Sequence, residues 1–371
     1  MAETNWFNIS NANEIDSPAL LVYPERVKGN IQTAIKMMGD VNRLRPHVKT
    51  HKCAEVVQLM MDAGITKFKC ATIAEAEMLG IQKVTDVLLA YQPVGPKLRR
   101  FITLIKKYLA TQFSCLTDNA VAAAAQSKAF TEAGLQVLVY LDLNIGMNRT
   151  GINPGDEAME LYQYCSTAAG IIIKGLHAYD GHIRDIDFAA KKKNCDDAFT
   201  VVELLAKKIE STGLPEPIII AGGSPTFSVH CKRENIECSP GTFIYWDRGY
   251  SVLCPEQEFV PAAVLLTRVV SLPGEGKICT DLGHKSVAAE NEISKRVFFP
   301  EFEFLSAISQ SEEHLVLENK SANKFASGDI LYAIPWHICP TVALYDCIKI
   351  IENSQCIGDW KNIARDRKIT V

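Results

Sequence analysis

Between residues 42 and 247 the sequence alternates short strand-like runs with helix-like stretches, and this rhythm limits the possible fold more than any other feature. The runs are 42–48, 67–72, 87–91, 112–117, 136–143, 171–179, 217–223 and 237–247. Helical patterns such as 72–79, 120–133 and 198–211 lie between them. Strands that alternate with helices build a parallel sheet covered by helices. Several runs are apolar throughout, among them Val-Leu-Leu-Ala-Tyr at 87–91, as strands buried on both faces must be. Eight such units predict an α/β fold, a (β/α)8 TIM-type barrel over residues 17–250.

The rhythm stops near residue 250. Beyond it come the short runs 259–272, 276–281, 296–304, 314–317, 330–335 and 347–352, broken by Gly and Pro and with little helical period. They predict a second, β-rich C-terminal domain over 251–371, to which residues 1–16 could add an N-terminal strand. A length of 371 residues agrees with two domains. With 39 Lys+Arg against 43 Asp+Glu the net charge is -4, so no basic excess exists to neutralise nucleic-acid phosphates or an anionic membrane surface. No apolar run reaches the ~18–20 residues of a membrane span. The opening Met-Ala-Glu-Thr-Asn-Trp lacks the basic-then-apolar pattern of a signal peptide. Twelve cysteines without any Cys-x-x-Cys pair suit reduced thiols, and the expectation is a cytoplasmic protein.

A barrel of this kind works at the C-terminal ends of its strands. Polar residues gather there in run after run. The first run ends in Arg45-Pro-His-Val-Lys-Thr-His-Lys52, the fifth in Asp142-Leu-Asn-Ile-Gly-Met-Asn-Arg149-Thr-Gly151, and the sixth in His177-Ala-Tyr-Asp-Gly-His182. Lys49 stands beside His47, His51 and Lys52. Neighbouring cations disfavour an ammonium and so favour the free amine, which suits a Schiff base. Read alone, the same residues also fit a solvated basic loop. Gly222-Gly-Ser224 follows an apolar run and has the composition of a phosphate cradle, although a plain strand-to-helix turn fits it as well. In the second domain, His337 and Cys339 follow a strand-like run. Two residues apart on an extended chain, they would share a face and suit zinc, while a buried, ion-free pair remains open.

Together these motifs resemble the D-threonine aldolase / D-serine dehydratase family, a branch of the alanine-racemase-like, fold type III enzymes that use pyridoxal 5′-phosphate. The resemblance runs over nearly the whole chain. It rests on Arg45-Pro-His-Val-Lys-Thr-His-Lys52, Gly146-Met-Asn-Arg149-Thr-Gly151, Gly175-Leu-His-Ala-Tyr-Asp-Gly-His182, Gly222-Gly-Ser-Pro-Thr226 and Ser239-Pro-Gly-Thr-Phe-Ile-Tyr245. Asp281-Leu-Gly-His-Lys285 and Pro335-Trp-His-Ile-Cys-Pro-Thr341 carry it through the second domain. It implies a lyase acting on D-3-hydroxy amino acids, with a small D-amino acid as substrate and neither nucleic acid nor membrane as partner.

Roles follow residue by residue. Lys49 would hold the cofactor covalently and move the proton at the substrate Cα, with His47 beside it. Arg149 would reach the cofactor's phenolic oxygen, and Tyr179 its ring. Gly222, Gly223 and Tyr245 would hold the phosphate. His337 and Cys339 would bind a divalent metal, zinc before manganese, next to the substrate's β-hydroxyl. Asn144 stands where the family's Asp-x-Gly-x-x-Arg-x-Gly stretch has its Asp, with Asp142 two residues earlier, and the chain departs from the aldolase members at two further points. It carries His-x-Cys where aldolases tend to carry His-x-Asp. His182 directly follows Gly181, whereas aldolases place a histidine a few residues further on, near Asp185. Dehydration and aldol cleavage both stay open, with His182 as a second catalytic candidate. Relatives also imply a homodimer. Two other readings stand beside this one: an amino-acid racemase of the alanine-racemase type, and a non-catalytic pyridoxal phosphate carrier.

Overall fold

The computed structural model describes residues 6–371 and divides into two compact units. One comprises Ala34–Lys49, Val56–Gly241 and Ala364–Val371; the other comprises the N-terminal segment to Thr33, Thr50–Glu55 and Thr242–Ile363. The first strand, β1 (Ala19–Val22), belongs to the second of these. Seven strands then form the parallel sheet of the first unit. They are β2 (Lys67–Cys70), β3 (Asp86–Leu89), β4 (Gln112–Thr117), β5 (Val137–Leu143), β6 (Ile171–Ala178), β7 (Ile218–Ala221) and β8 (Ile236–Cys238), hydrogen-bonded in that order.

The expected first barrel strand, 42–48, is not a ladder. Pro46 has no N–H to give to one. The segment instead makes single parallel bridges on both sides, Leu44 to Cys238 and His47 to Lys69. Arg45 N donates to Cys238 O (2.8 Å) and Lys69 N donates to Pro46 O (2.9 Å). It thereby closes the sheet between β8 and β2, and the barrel plan stands with seven strands and one closing segment. Strands such as β5 are buried along their whole length, which explains a composition that is apolar except for Asp142 near its end. Helices cover them, and side chains cap several of their starts. Thr72 Oγ1 accepts from Glu75 N (3.0 Å) ahead of Ile73–Ile81, and Asn119 Oδ1 from Ala122 N (2.9 Å) ahead of Ala120–Glu132.

The N-terminal end of the barrel is tied by charge. Arg45 is buried, forks onto Asp86 (2.6 and 2.9 Å) and donates to Glu237 (2.7 Å), while Lys67 also meets Glu237. Asp86 opens β3 and Glu237 lies in the short β8. Breaking such a buried network by removing one partner costs about 3–5 kcal/mol.

In the other unit, β1 runs antiparallel to β9 (Ala263–Gly274) and parallel to a later strand. The remaining strands are β10 (Lys277–Thr280), β11 (Val297–Phe298), β12 (Leu305–Gln310), β13 (Leu315–Asn319), β14 (Ile330–Pro335), β15 (Cys347–Glu352) and β16 (Gln355–Lys361). The sheet reads β12-β13-β10-β9-β1-β15-β16, with β14 pairing β9 and β11. Phe7, Leu21, Leu266, Tyr332 and Ile351 pack together as part of its core. The anticipated strand within 1–16 is replaced by β1: described residues 6–16 hold only turns and the short helix Ala12–Glu14, and residues 1–5 lie outside the described residues. No helix among the described residues is long and apolar enough to cross a membrane.

Candidate active site

A cavity of about 240 Å³ opens in the barrel unit, lined by His47, Lys49, Lys69, Ala71, Ala90, Tyr91, Arg149, Thr150, His177 and Tyr179. Four of the residues singled out in the sequence, His47, Lys49, Arg149 and Tyr179, therefore meet in one place. They come from the closing segment, the loop after β5 and the end of β6, which is the C-terminal side of the strands. Lys49 is half-buried, and its backbone N–H donates to His47 Nδ1 (3.2 Å). The Arg149 guanidinium sits 5.1 Å from the centre of the Tyr179 ring.

Behind these residues lies a buried chain of polar groups in which Asp142 and His177, placed at strand ends by the sequence, join Lys69, whose part sequence reasoning missed. Lys69 Nζ is 2.8 Å from His177 Nε2 and donates to Ser239 Oγ (3.0 Å). His177 Nδ1 is 2.6 Å from Asp142 Oδ1. Burial, then the charge of Lys69, keeps His177 in its neutral form. Burial works against ionisation of Asp142 too, but the bond from His177 and others with Thr150 hold its carboxyl below the usual range. A carboxylate only accepts, so Nδ1 carries the imidazole proton and Nε2 accepts from Lys69. Burial, with Lys49, Arg149 and Arg45 nearby, brings the Lys69 ammonium down to about 7. A lysine inside a strand buried on both faces was the available signal.

Gly222 and Gly223 follow β7. Gly222 has φ +72, and a Cβ on Gly223 would come 2.7 Å from Tyr179 Cε2, so the loop's shape and the seat of the Tyr179 ring both need glycine. Asp180 fixes this loop from below. Its two carboxylate oxygens accept from Thr226 Oγ1 (2.7 Å) and His230 Nε2 (2.7 Å), all three residues being buried, with Cys195 close by. His182 is exposed and packs on Gly146, outside the cavity lining, and Asp185 accepts from the Asn194 side chain (2.9 Å).

In the β-rich unit, the Tyr245 hydroxyl is fully buried without a hydrogen-bond partner among the described residues. His337 and Cys339 are not on an extended chain, as the spacing predicts. Backbone bending after β14 makes His337 the residue before the short helix Ile338–Val342, and Cys339 sits in that helix. They still interact with each other, and His337 Nδ1 meets Glu290. Burial opposes the imidazolium, but Cys339, Glu290 and Asp247 outweigh it and raise His337 to about 9. Cys339 Sγ lies 3.1 Å from Thr50 Oγ1 and 3.6 Å from Thr242 Oγ1. Buried Asp247 places the turn: one oxygen accepts from Ile338 N (2.9 Å), the other from Tyr250 N (2.8 Å).

The residues fit the groups that the sequence resemblance implies. The amine and the glycine loop suit a phosphorylated aldehyde. Imidazole, thiol and carboxylate together suit a borderline-soft divalent metal.

The family model for "Alanine racemase, N-terminal domain" matches residues 22–249, and that for "Putative serine dehydratase domain" matches residues 262–351. A D-threonine aldolase of Arthrobacter sp is 23% identical over 95% of this chain and 93% of its own. A D-threo-3-hydroxyaspartate dehydratase of Delftia sp. (strain HT23) is 22% identical over 94% of this chain and 97% of its own. The crystal structure of D-threonine aldolase from Filomicrobium marinum superposes with a TM-score of 0.87 at 26% identity, covering 98% of this chain and 99% of that one.

Proposed function

Because the chain belongs to the family defined by the alanine racemase N-terminal domain, we propose that it is a pyridoxal-phosphate-dependent lyase of D-3-hydroxy amino acids, assisted by a divalent metal. The observation that carries this reading is the meeting of Lys49, His47, Arg149 and Tyr179 in one cavity at the C-terminal side of the barrel strands. Its relatives, an aldolase and a dehydratase, support the reaction class.

Bound pyridoxal phosphate would supply an electron sink at the substrate Cα. Lys49 would hold it and carry the proton taken from the substrate. Arg149 and Tyr179 would orient the reactants, and the Gly222–Gly223 backbone and the Tyr245 hydroxyl would take the phosphate. A metal at His337 and Cys339 would polarise the β-hydroxyl, with zinc favoured by the thiol. We read the protein as a cytoplasmic homodimer. Twelve free cysteines, nine of them buried, support a reducing compartment, and a polar barrel mouth needs a cover against water. Sedimentation that finds a fully active monomer overturns the dimer.

Product analysis tests the function. With D-serine, D-threonine and D-threo-3-hydroxyaspartate, dehydration yields ammonia and a 2-oxo acid. Aldol cleavage yields glycine and an aldehyde. Protein loaded with cofactor and metal that turns over none of the three, but interconverts alanine enantiomers, would make the racemase reading the right one.

A further inference from the structure

Two lysines line the cavity, and only one is needed to hold an aldehyde. Lys69 is 4% exposed and is already tied on two sides, to His177 from β6 and to Ser239 just past β8. A protonated lysine has three N–H donors. Two are spent on these partners, and among the described residues no side chain takes the third. Asp142 fixes the His177 tautomer, so the imidazole can only accept from Lys69.

The position of this spare N–H matters. Ser239 N donates to Gly222 O (3.0 Å), and His47 N donates to Pro240 O (3.0 Å), so Ser239 lies between the glycine loop and the segment bearing Lys49. Lys69 Nζ is 5.5 Å from the Tyr179 ring centre, and Tyr179 borders Gly223. A flat ring anchored at Lys49 and at Gly222–Gly223 has to cross this same floor. Resting on the functional reading above, we propose that Lys69 is a positioning residue whose third N–H donates to a hydrogen-bond acceptor on the cofactor ring, held in aim by Ser239 and by the Asp142–His177 pair. The acceptor is the ring nitrogen or the phenolic oxygen, and both present the same chemistry to an ammonium.

Cofactor binding tests this without reference to turnover. A hydrogen bond to a charged group makes a net contribution that corresponds to roughly 10- to 100-fold in binding. Lys69→Met is expected to weaken pyridoxal phosphate binding by about that factor and to shift the absorption maximum of the bound cofactor. Asp142→Asn keeps the side chain's shape but lets Nδ1 accept, which turns Nε2 into a donor facing Lys69. It should move affinity and spectrum the same way, and it serves as the probe if Lys69→Met does not fold. Together the two changes should do no more than Lys69→Met alone. With 1-deazapyridoxal phosphate the wild-type to Lys69→Met ratio falls to about one if the ring nitrogen is the acceptor. With the 3-deoxy analogue, which lacks that oxygen, it falls to about one if the phenolic oxygen is. A ratio that persists with both analogues overturns the proposal, as does wild-type affinity and spectrum in Lys69→Met. Borohydride reduction that fixes the cofactor to Lys69 instead of Lys49 overturns it too. Wild-type protein that binds no pyridoxal phosphate refutes the functional reading itself, a different failure.

Discussion

Asp180→Ala should damage the protein in two separable ways. The carboxylate accepts hydrogen bonds of 2.7 Å from both Thr226 and His230, with all three residues buried. Removing it strands a hydroxyl and an imidazole N–H away from water. At about 1–3 kcal/mol for each unsatisfied group, the loss is on the order of 2–6 kcal/mol, a large share of a domain's stability. Urea denaturation of purified protein reads this as a lower midpoint with an unchanged slope. Thr226 belongs to the segment that begins with Gly222–Gly223, so the same change should loosen the proposed phosphate cradle and weaken pyridoxal phosphate binding about tenfold, a shift of about 1.4 kcal/mol. The pH dependence follows from the sign of the shift. Burial alone would raise the Asp180 carboxyl, but the bonds from His230 and Thr226 hold it below its usual 3.8. Its contribution is thus complete above about pH 4 and fades as pH falls through the depressed value. Asp180→Asn should flatten that acid limb. A variant that loses stability yet binds cofactor with wild-type affinity would show that Asp180 serves the core and not the loop, and the buttress argument would fail.

The other predictions are direct. Lys49→Ala should leave no cofactor attached after borohydride treatment and no turnover, while Lys52→Ala retains both; the reverse pattern would mean the wrong lysine was chosen. Exhaustive chelation should abolish lyase activity but leave cofactor content unchanged, and Cys339→Asp should move metal preference from zinc towards manganese by elemental analysis. Gly223→Val would push a Cβ to 2.7 Å from Tyr179 Cε2, so cofactor affinity should fall at least tenfold with metal content intact. Arg45→Met should cost about 3–5 kcal/mol in urea unfolding because Asp86 loses its fork and Glu237 one of its two cations.

Much of the site was legible because barrel geometry turns a one-dimensional rule into a place. Whatever follows each strand is carried to the same rim, so His47, Lys49, Arg149 and Tyr179 could be grouped from residues that lie up to 132 positions apart in the chain. The rule is blind to residues within a run. Lys69 lies inside β2, and nothing in its neighbours Phe68 and Cys70 points to His177 or Ser239. Asp180 and His230 are fifty positions apart, and only the fold makes them a pair. Strands were missed where their pattern was poor. β16 is mostly exposed, pairs on one side only and contains Gly358 and Asp359, so it lacks the apolar alternation that marks a half-buried strand.

Arg45 and Lys49 show how one motif can mix two purposes. They lie four residues apart in a single basic stretch, and charge alone treats them alike. Arg45 is paired with Asp86, the first residue of β3, and with Glu237 in β8, which places its guanidinium on the side where the strands begin. Lys49 is past Pro46 and the bridge at His47, half-buried on the side where the strands end. In a parallel barrel those two sides differ in kind: one holds the strands in register, the other faces the reactants. A cation near an acidic residue that opens a strand belongs to the first, and one that follows the last bridged residue belongs to the second. By that criterion Arg45 and Lys67 are structural, and Lys49 is placed where its proposed chemical role requires. Lys69 stands between them, bridged to His47 in its backbone and tied to the ends of β6 and β8 by its side chain. Its amine therefore faces the reactants' side, although its Cα lies inside a strand.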